Sequence, residues 1–344
     1  METYTGNILV DEFAMKKAIL LSHSTIKVDK RILSKFSVEK PKAGPSSGRC
    51  VAGFGFGDRR VKLEISDKEE RFSLVKSNGR FLIRDRKKDF LEVYPLDIST
   101  HAPNQVFISL ENKCIYNCLF CEKSSVEVDE DRLLSFVRRC IEDKGIRSVA
   151  ITSGAFPSVN EQIEKLADFV RRLKRDYDDI YVGVEPLVGS KRDVQRLRVS
   201  GADEIKINLQ FPKKELFDKI CGYIEYEKIF DLLHHAVSEF GRGKVTSNII
   251  FGVGESDEEI IYALNKLADM GVVPNLRLIR LTPRIKTRIG KKLGYRIGKV
   301  DPLRIIKLAK IHKKILEREG LTTRSFRTMC FACGCCDMVP FWDV

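Results

Sequence analysis

The chain has 344 residues, enough for one large domain and a smaller one around a buried core. Lys and Arg outnumber Asp and Glu by 61 to 48, and the net charge of +13 reads either as a match to an acidic partner (an acidic protein, an anionic ligand or nucleic acid) or as solubility in an organism whose proteins are rich in charged residues. No apolar run reaches the roughly eighteen residues of a membrane helix, and the opening METYTGNILVDEF lacks the apolar core of a signal peptide, which excludes both from the expectations.

Residues 1–104 predict a small, β-rich accessory domain. Pro41, Gly44, Pro45, Ser46, Ser47 and Gly48 read as a loop, and period-two alternation in residues 60–65 and 80–84 predicts half-buried strands. From residue 105 to 320 short apolar strands alternate with amphipathic helices. The strands are expected at 106–111, 148–153, 180–185, 204–209, 245–251 and 276–281, and the helices at 131–144, 161–175, 226–240, 257–270 and 304–319. Six such units require parallel pairing with helical crossovers, in a doubly wound sheet or a partial barrel. Residues 321–344 form a cysteine-rich tail.

The ten cysteines suit metal ligands or catalytic thiols in a reducing cytoplasm better than disulfides. Cys114, Cys118 and Cys121 directly follow the first strand of the repeat. Thiolates are soft ligands, and three of them can hold three irons of a cube while the fourth iron stays open. Structural zinc would need a fourth ligand, and the chain has five His, none near this loop. Phe120 can shield such a centre from water.

A C-x3-C-x2-C motif after the first strand, with an aromatic residue before its last Cys, resembles the signature of the radical S-adenosylmethionine (SAM) superfamily. The resemblance implies an α/β fold with a (βα)6 partial TIM barrel over residues 105–320. It implies a [4Fe–4S] cluster on Cys114, Cys118 and Cys121, SAM on the open iron, and a 5′-deoxyadenosyl radical that abstracts hydrogen. It also implies a one-electron reductant such as ferredoxin or flavodoxin.

Other positions follow from the same resemblance. The backbone of Thr152, Ser153 and Gly154, at the end of the second strand, would hold the methionine amino group. Glu185 would reach that ammonium or a ribose hydroxyl, and Asn208 would contact the ribose. Strand alternation puts Lys206 and Asn208 on one face, opposite Ile205, Ile207 and Leu209. Residues 245–255 resemble the fifth-strand segment of biotin-synthase-type members. There Ile250 would pack on adenine, Gly252 and Gly254 would allow close backbone approach, and Glu255 would tie down the loop. By their own position on the sixth strand, Arg277 and Arg280 either point one side chain into the barrel, toward an anionic substrate group or a second cluster, or mark a solvated strand end.

Cys330, Cys333, Cys335 and Cys336 are a second concentration of thiols. An auxiliary iron–sulfur cluster on three of them, facing the barrel mouth, is the favoured reading, and zinc is the alternative. Radical SAM enzymes that insert sulfur into C–H bonds, biotin synthase and lipoyl synthase, resemble this arrangement. The resemblance extends to the split lipoyl synthase of archaea, with a second radical SAM subunit and an acidic lipoyl carrier protein as partners. A radical SAM methylase or RNA-modifying enzyme, or a non-catalytic iron–sulfur electron-transfer protein, are the other readings. Cys140 is expected in the core, and Cys50 and Cys221 have no partner legible in sequence.

Overall fold

The computed structural model describes every residue except 1, 6, 7, 42–46 and 123–125. Part of the loop expected around Pro41–Gly48, namely Gly44, Pro45 and Ser46, lies outside the described residues.

Six parallel strands form the main sheet: Gln105–Ser109, Ser148–Thr152, Tyr181–Glu185, Glu204–Lys206, Val245–Phe251 and Val273–Leu278. They lie side by side in chain order, without the reversal of a doubly wound sheet, so the array is a partial barrel. Short antiparallel His101–Ala102 adds to the first strand's free edge. Crossover helices cover the outside, each burying an apolar stripe such as Ile163, Leu166, Val170 and Leu173.

The fourth strand ends at Lys206, earlier than expected. Gln210 takes a left-handed φ of 67°, and its backbone bridges to Ile249. Among the described residues, three helices of nine residues or more had no counterpart in the sequence reading: Glu12–His23, Lys191–Val199 and Pro283–Leu293. The last two bury only two residues each, Val194 with Leu197 and Ile285 with Ile289, too few for a clear periodic signal.

The first hundred residues are β-rich, with helix Glu12–His23 packed on helix Pro302–Arg318 of the barrel. Strands Val51–Phe56, Arg59–Ser66, Thr25–Val28, Phe72–Ser77, Arg80–Asp85 and Lys88–Leu96 pair in that spatial order. The last returns to the first, closing a small barrel without open edges there.

The C-terminal tail enters the large barrel from the N-terminal ends of its strands. Glu204, the first residue of the fourth strand, accepts from Arg327 N and Thr328 N, both at 3.0 Å. Gln105, the first residue of the first strand, exchanges two 2.8 Å bonds with the Met329 backbone. Gly183 makes the room: a Cβ there would lie 2.0 Å from Thr328 Oγ1. Lys17 of the small domain closes on the tail, with Nζ 2.6 Å from Asp343 Oδ2 and 2.8 Å from Gly334 O.

Candidate active site

The loop after the first strand is tied down by backbone bonds. Leu110 N donates to Thr152 O, Gly154 N to Glu111 O at 2.7 Å, and Ile115 N to Ala155 O at 2.8 Å. Leu119 N donates to Ile220 O at 2.8 Å. A Cβ on Gly154 would meet Lys113 O at 2.0 Å, so this glycine permits the close packing of the loop on the second strand. The loop therefore presents Cys114, Cys118 and Cys121 from a fixed base. Cys121 lines the central cavity beside Phe120, whose ring packs 5.9 Å from that of Phe211. The structure also brings Cys221 to Cys118. Burial raises the Cys221 thiol pKa, and the bond to Cys118 adds to the rise.

Across the same cavity stand Cys330, Cys333 and Cys336, while Cys335 does not line it. The Cys335 thiol turns back to Cys333 O at 3.4 Å. This corrects the expectation that the second thiol set would face the mouth. Because the tail plugs the barrel at the strands' N-terminal ends, the two sets approach one cavity from opposite directions.

Cations surround the second set. Arg277 Nη2 lies 2.9 Å from Cys330 Sγ and 2.8 Å from Asp337 Oδ2. Lys206 Nζ lies 3.3 Å from Cys330 Sγ and 3.3 Å from Glu185 Oε1. Lys62, from the small domain, is buried in the cavity wall and donates to His101 O at 2.6 Å. Its backbone N binds Cys335 O, and Arg280 Nη2 binds its carbonyl at 3.0 Å. Burial opposes charge on Lys62, but Cys336, Cys333, Cys335 and Glu39 outweigh it and raise its pKa. The Cys333 thiol is brought down to about 5, first by a hydrogen bond from Cys335 and, against burial, by the charges of Lys62 and His101. The thiolate of this wall is thus favoured at Cys333, whereas burial raises the Cys336 thiol.

A hydrogen-bonded chain crosses the barrel between the two sets. Asn208 Nδ2 donates to Glu185 Oε1 at 2.8 Å, and Asn248 N donates to Asn208 Oδ1 at 3.0 Å. Asn275 Nδ2 donates to Asn248 Oδ1 at 2.9 Å and to Asp337 Oδ2 at 3.1 Å. Glu185, Asn208, Thr152 and Ile250 all line the cavity. Sequence reasoning passed over Lys62, Asn248, Asn275 and Asp337. For Asn248 a signal existed, the polar run Thr246, Ser247 and Asn248 inside a strand expected to be buried; for Lys62 none did.

Two expected sites differ. Gly252 and Gly254 have left-handed φ of 100° and 119°, but their space is filled by the chain itself. A Cβ on Gly252 would meet Val300 Cγ2 at 2.7 Å, and one on Gly254 would meet the Tyr295 hydroxyl at 2.3 Å. Neither lines the cavity. Glu255 accepts from Gly252 N and Val253 N at 2.7 and 2.9 Å, which fixes this turn. Cys140 is buried in the core.

The donor sets fit iron–sulfur centres. In a cube each thiolate binds its own iron, so the sulfurs stand further apart than the ligands of one ion. Among the described residues, no three His, Cys, Asp or Glu side chains form a group that could hold a metal ion. Asp337 Oδ1 and Arg277 Nε are buried beside Cys330 without a hydrogen-bond partner among the described residues, an arrangement that costs free energy unless a ligand satisfies it. No helix of the described residues is long and apolar enough to cross a membrane.

Residues 108–267 match the Radical SAM superfamily model. The chain is similar to biotin synthase of Sulfurihydrogenibium sp. (strain YO3AOP1), 28% identical over 204 residues, covering 57% of this chain and 58% of that one. It is also similar to a probable GTP 3′,8-cyclase of Saccharolobus islandicus (strain M.14.25 / Kamchatka #1), 27% identical over 183 residues, covering 51% and 56%. The chain thus spans little more than half the length of these relatives. Among solved structures, methylornithine synthase (PylB) aligns with a TM-score of 0.50 at 17% identity, covering 62% of this chain and 63% of that one. The hydrogenase maturase HydG aligns with a TM-score of 0.50 at 18% identity, covering 67% and 54%. At such identities these two speak to the fold.

Proposed function

Because this chain carries a radical SAM domain, whose family uses a [4Fe–4S] cluster and SAM, we propose that Cys114, Cys118 and Cys121 hold that cluster and that Cys330, Cys333 and Cys336 hold a second one for sulfur insertion into a C–H bond. The observation that carries this reading is the placement of the second thiol set, flanked by Lys62, Lys206 and Arg277, across one cavity from Cys121.

When bound, the first cluster and SAM supply a 5′-deoxyadenosyl radical for hydrogen abstraction. The protein's own residues bind, orient and exclude water. Glu185 and Asn208, fixed to each other and to the fifth strand, present a carboxylate and an amide to the SAM ammonium and ribose. Thr152 and Ser153 would add backbone acceptors, and Ile250 an apolar face for adenine. Phe120 and the apolar wall keep water from a reactive carbon. Lys62, Lys206 and Arg277 stabilise thiolate sulfur at the far wall, within reach of a substrate held between the two sets. Contact of that kind is required, since a carbon radical takes sulfur only from a near neighbour.

The likeness to biotin synthase supports sulfur insertion, and an octanoylated acidic carrier domain is the substrate class that suits the +13 charge. The test is a single turnover of reconstituted enzyme with SAM, reductant and such a carrier. Carrier sulfur should rise as protein-bound sulfide falls; 5′-deoxyadenosine without sulfur transfer would contradict the reading. A second reading, favoured by the cyclase relatives and the cationic cavity, keeps the second cluster intact and binds an anionic nucleotide there. Unchanged sulfide after turnover with GTP would support it.

A further inference from the structure

Over half of the chain's net charge sits in one short stretch. Residues 284–299 hold seven Lys and Arg and no Asp or Glu, against +13 for the whole chain. They span the helix Pro283–Leu293 and the turn after it. Elsewhere on the barrel many cations are paired, such as Arg196 with Glu164, Lys213 with Glu259 and Arg304 with Asp257. Here Arg284, Lys286, Lys291, Lys292 and Arg296 are exposed and make no ion pair with the described residues. Arg284, Arg288 and Lys292 follow one another at four-residue spacing, a stripe of like charge that disfavours the isolated helix. The stripe reaches the first thiol loop: Arg288 Nη2 donates to Cys121 O at 3.2 Å. The helix cap Thr282 also touches that loop, through Glu122.

We infer that this face is the docking surface for an acidic one-electron donor protein, which passes one electron to the cluster on Cys114, Cys118 and Cys121. The inference rests on the proposed role of those three cysteines. An unpaired cationic surface steers an anionic partner to it and sets their orientation. Its attachment to the carbonyl of Cys121 puts the partner directly over the centre to be reduced. A carrier protein or a nucleic acid bound here would lie over the loop instead of at the cavity. In the transfer the donor is oxidised by one electron and the cluster is reduced by one.

The experiment compares reconstituted wild type with Lys286→Glu/Lys291→Glu/Lys292→Glu, following 5′-deoxyadenosine. Each protein is supplied with either dithionite or a reduced acidic ferredoxin. With ferredoxin, the charge reversal should raise KM about tenfold or more and remove the wild type's loss of rate with salt. With dithionite, the two proteins should agree within about twofold, showing an intact site. An unchanged ferredoxin KM would overturn the inference, also if the variant loses affinity for a carrier domain or RNA. Absence of 5′-deoxyadenosine from wild type with dithionite would instead contradict the role given to Cys114, Cys118 and Cys121.

Discussion

Arg277 donates to the sulfur of Cys330 at 2.9 Å, joining the sixth barrel strand to the C-terminal thiols. The same guanidinium group holds buried Asp337 at 2.8 Å. Burial disfavours its charge, yet Asp337 and Cys330 raise its pKa well above the ordinary value. Removing it strands a buried carboxylate. Arg277→Met should therefore cost about 3–5 kcal/mol in urea unfolding and lower the iron bound by the tail. Arg277→Met/Asp337→Leu should regain most of that stability; no regain would mean the pair is not the source.

The cysteines of the tail should separate into two kinds. Cys330, Cys333 and Cys336 line the cavity and Cys335 does not. Cys335→Ser is expected to keep the iron content of wild type, whereas Ala at any of the other three should lower it. Equal loss at all four positions would contradict the assignment.

Much of the barrel was legible from period alone. Strand Val245–Phe251 and helix Tyr226–Phe240 lie where the pattern puts them, because their buried residues repeat without interruption. The sixth strand runs Val273–Leu278, three residues ahead of expectation, since Pro274 reads as a breaker. Proline is tolerated there because this strand is an open edge of the sheet. The first thiol loop was legible because its three cysteines are neighbours in sequence. The second site was legible only as a thiol cluster. Its orientation depends on Lys62, Gln105, Gly183 and Glu204, which lie far away in the chain and meet the tail only in the fold.

Gly183→Ala tests how the tail is seated. The added methyl would meet Thr328 Oγ1 at 2.0 Å inside a packed barrel. The expected cost is about 1–3 kcal/mol, read from the unfolding midpoint. A neutral effect would show that the tail does not occupy the barrel's N-terminal end.

The Lys17–Asp343 pair, 2.6 Å apart with side chains 1% and 2% exposed, joins the small domain to the tail. Lys17→Met should cost about 3–5 kcal/mol, and Lys17→Met/Asp343→Leu much less. Protection of the tail from proteolysis should follow the same order. A single variant as stable as wild type would contradict a clasping role.

His312 sets a pH dependence. Burial brings its pKa down to about 3, against a backbone bond at Pro274. The folded protein holds it neutral, whereas the unfolded chain protonates it below about 6.5. Its contribution is thus fully present above that pH and is lost as pH falls toward the folded value. Unfolding free energy should drop by about 2 kcal/mol between pH 7 and pH 5 from this group. His312→Leu should flatten that slope; an unchanged slope would contradict it.

The central claim is that two iron–sulfur centres face one cavity. Iron and acid-labile sulfide per chain, measured after anaerobic reconstitution, test it most directly. Wild type should bind about eight irons and Cys330→Ala/Cys333→Ala/Cys336→Ala about four, with the variant still forming 5′-deoxyadenosine from SAM. About four irons in both proteins, or zinc in the tail, would contradict the account.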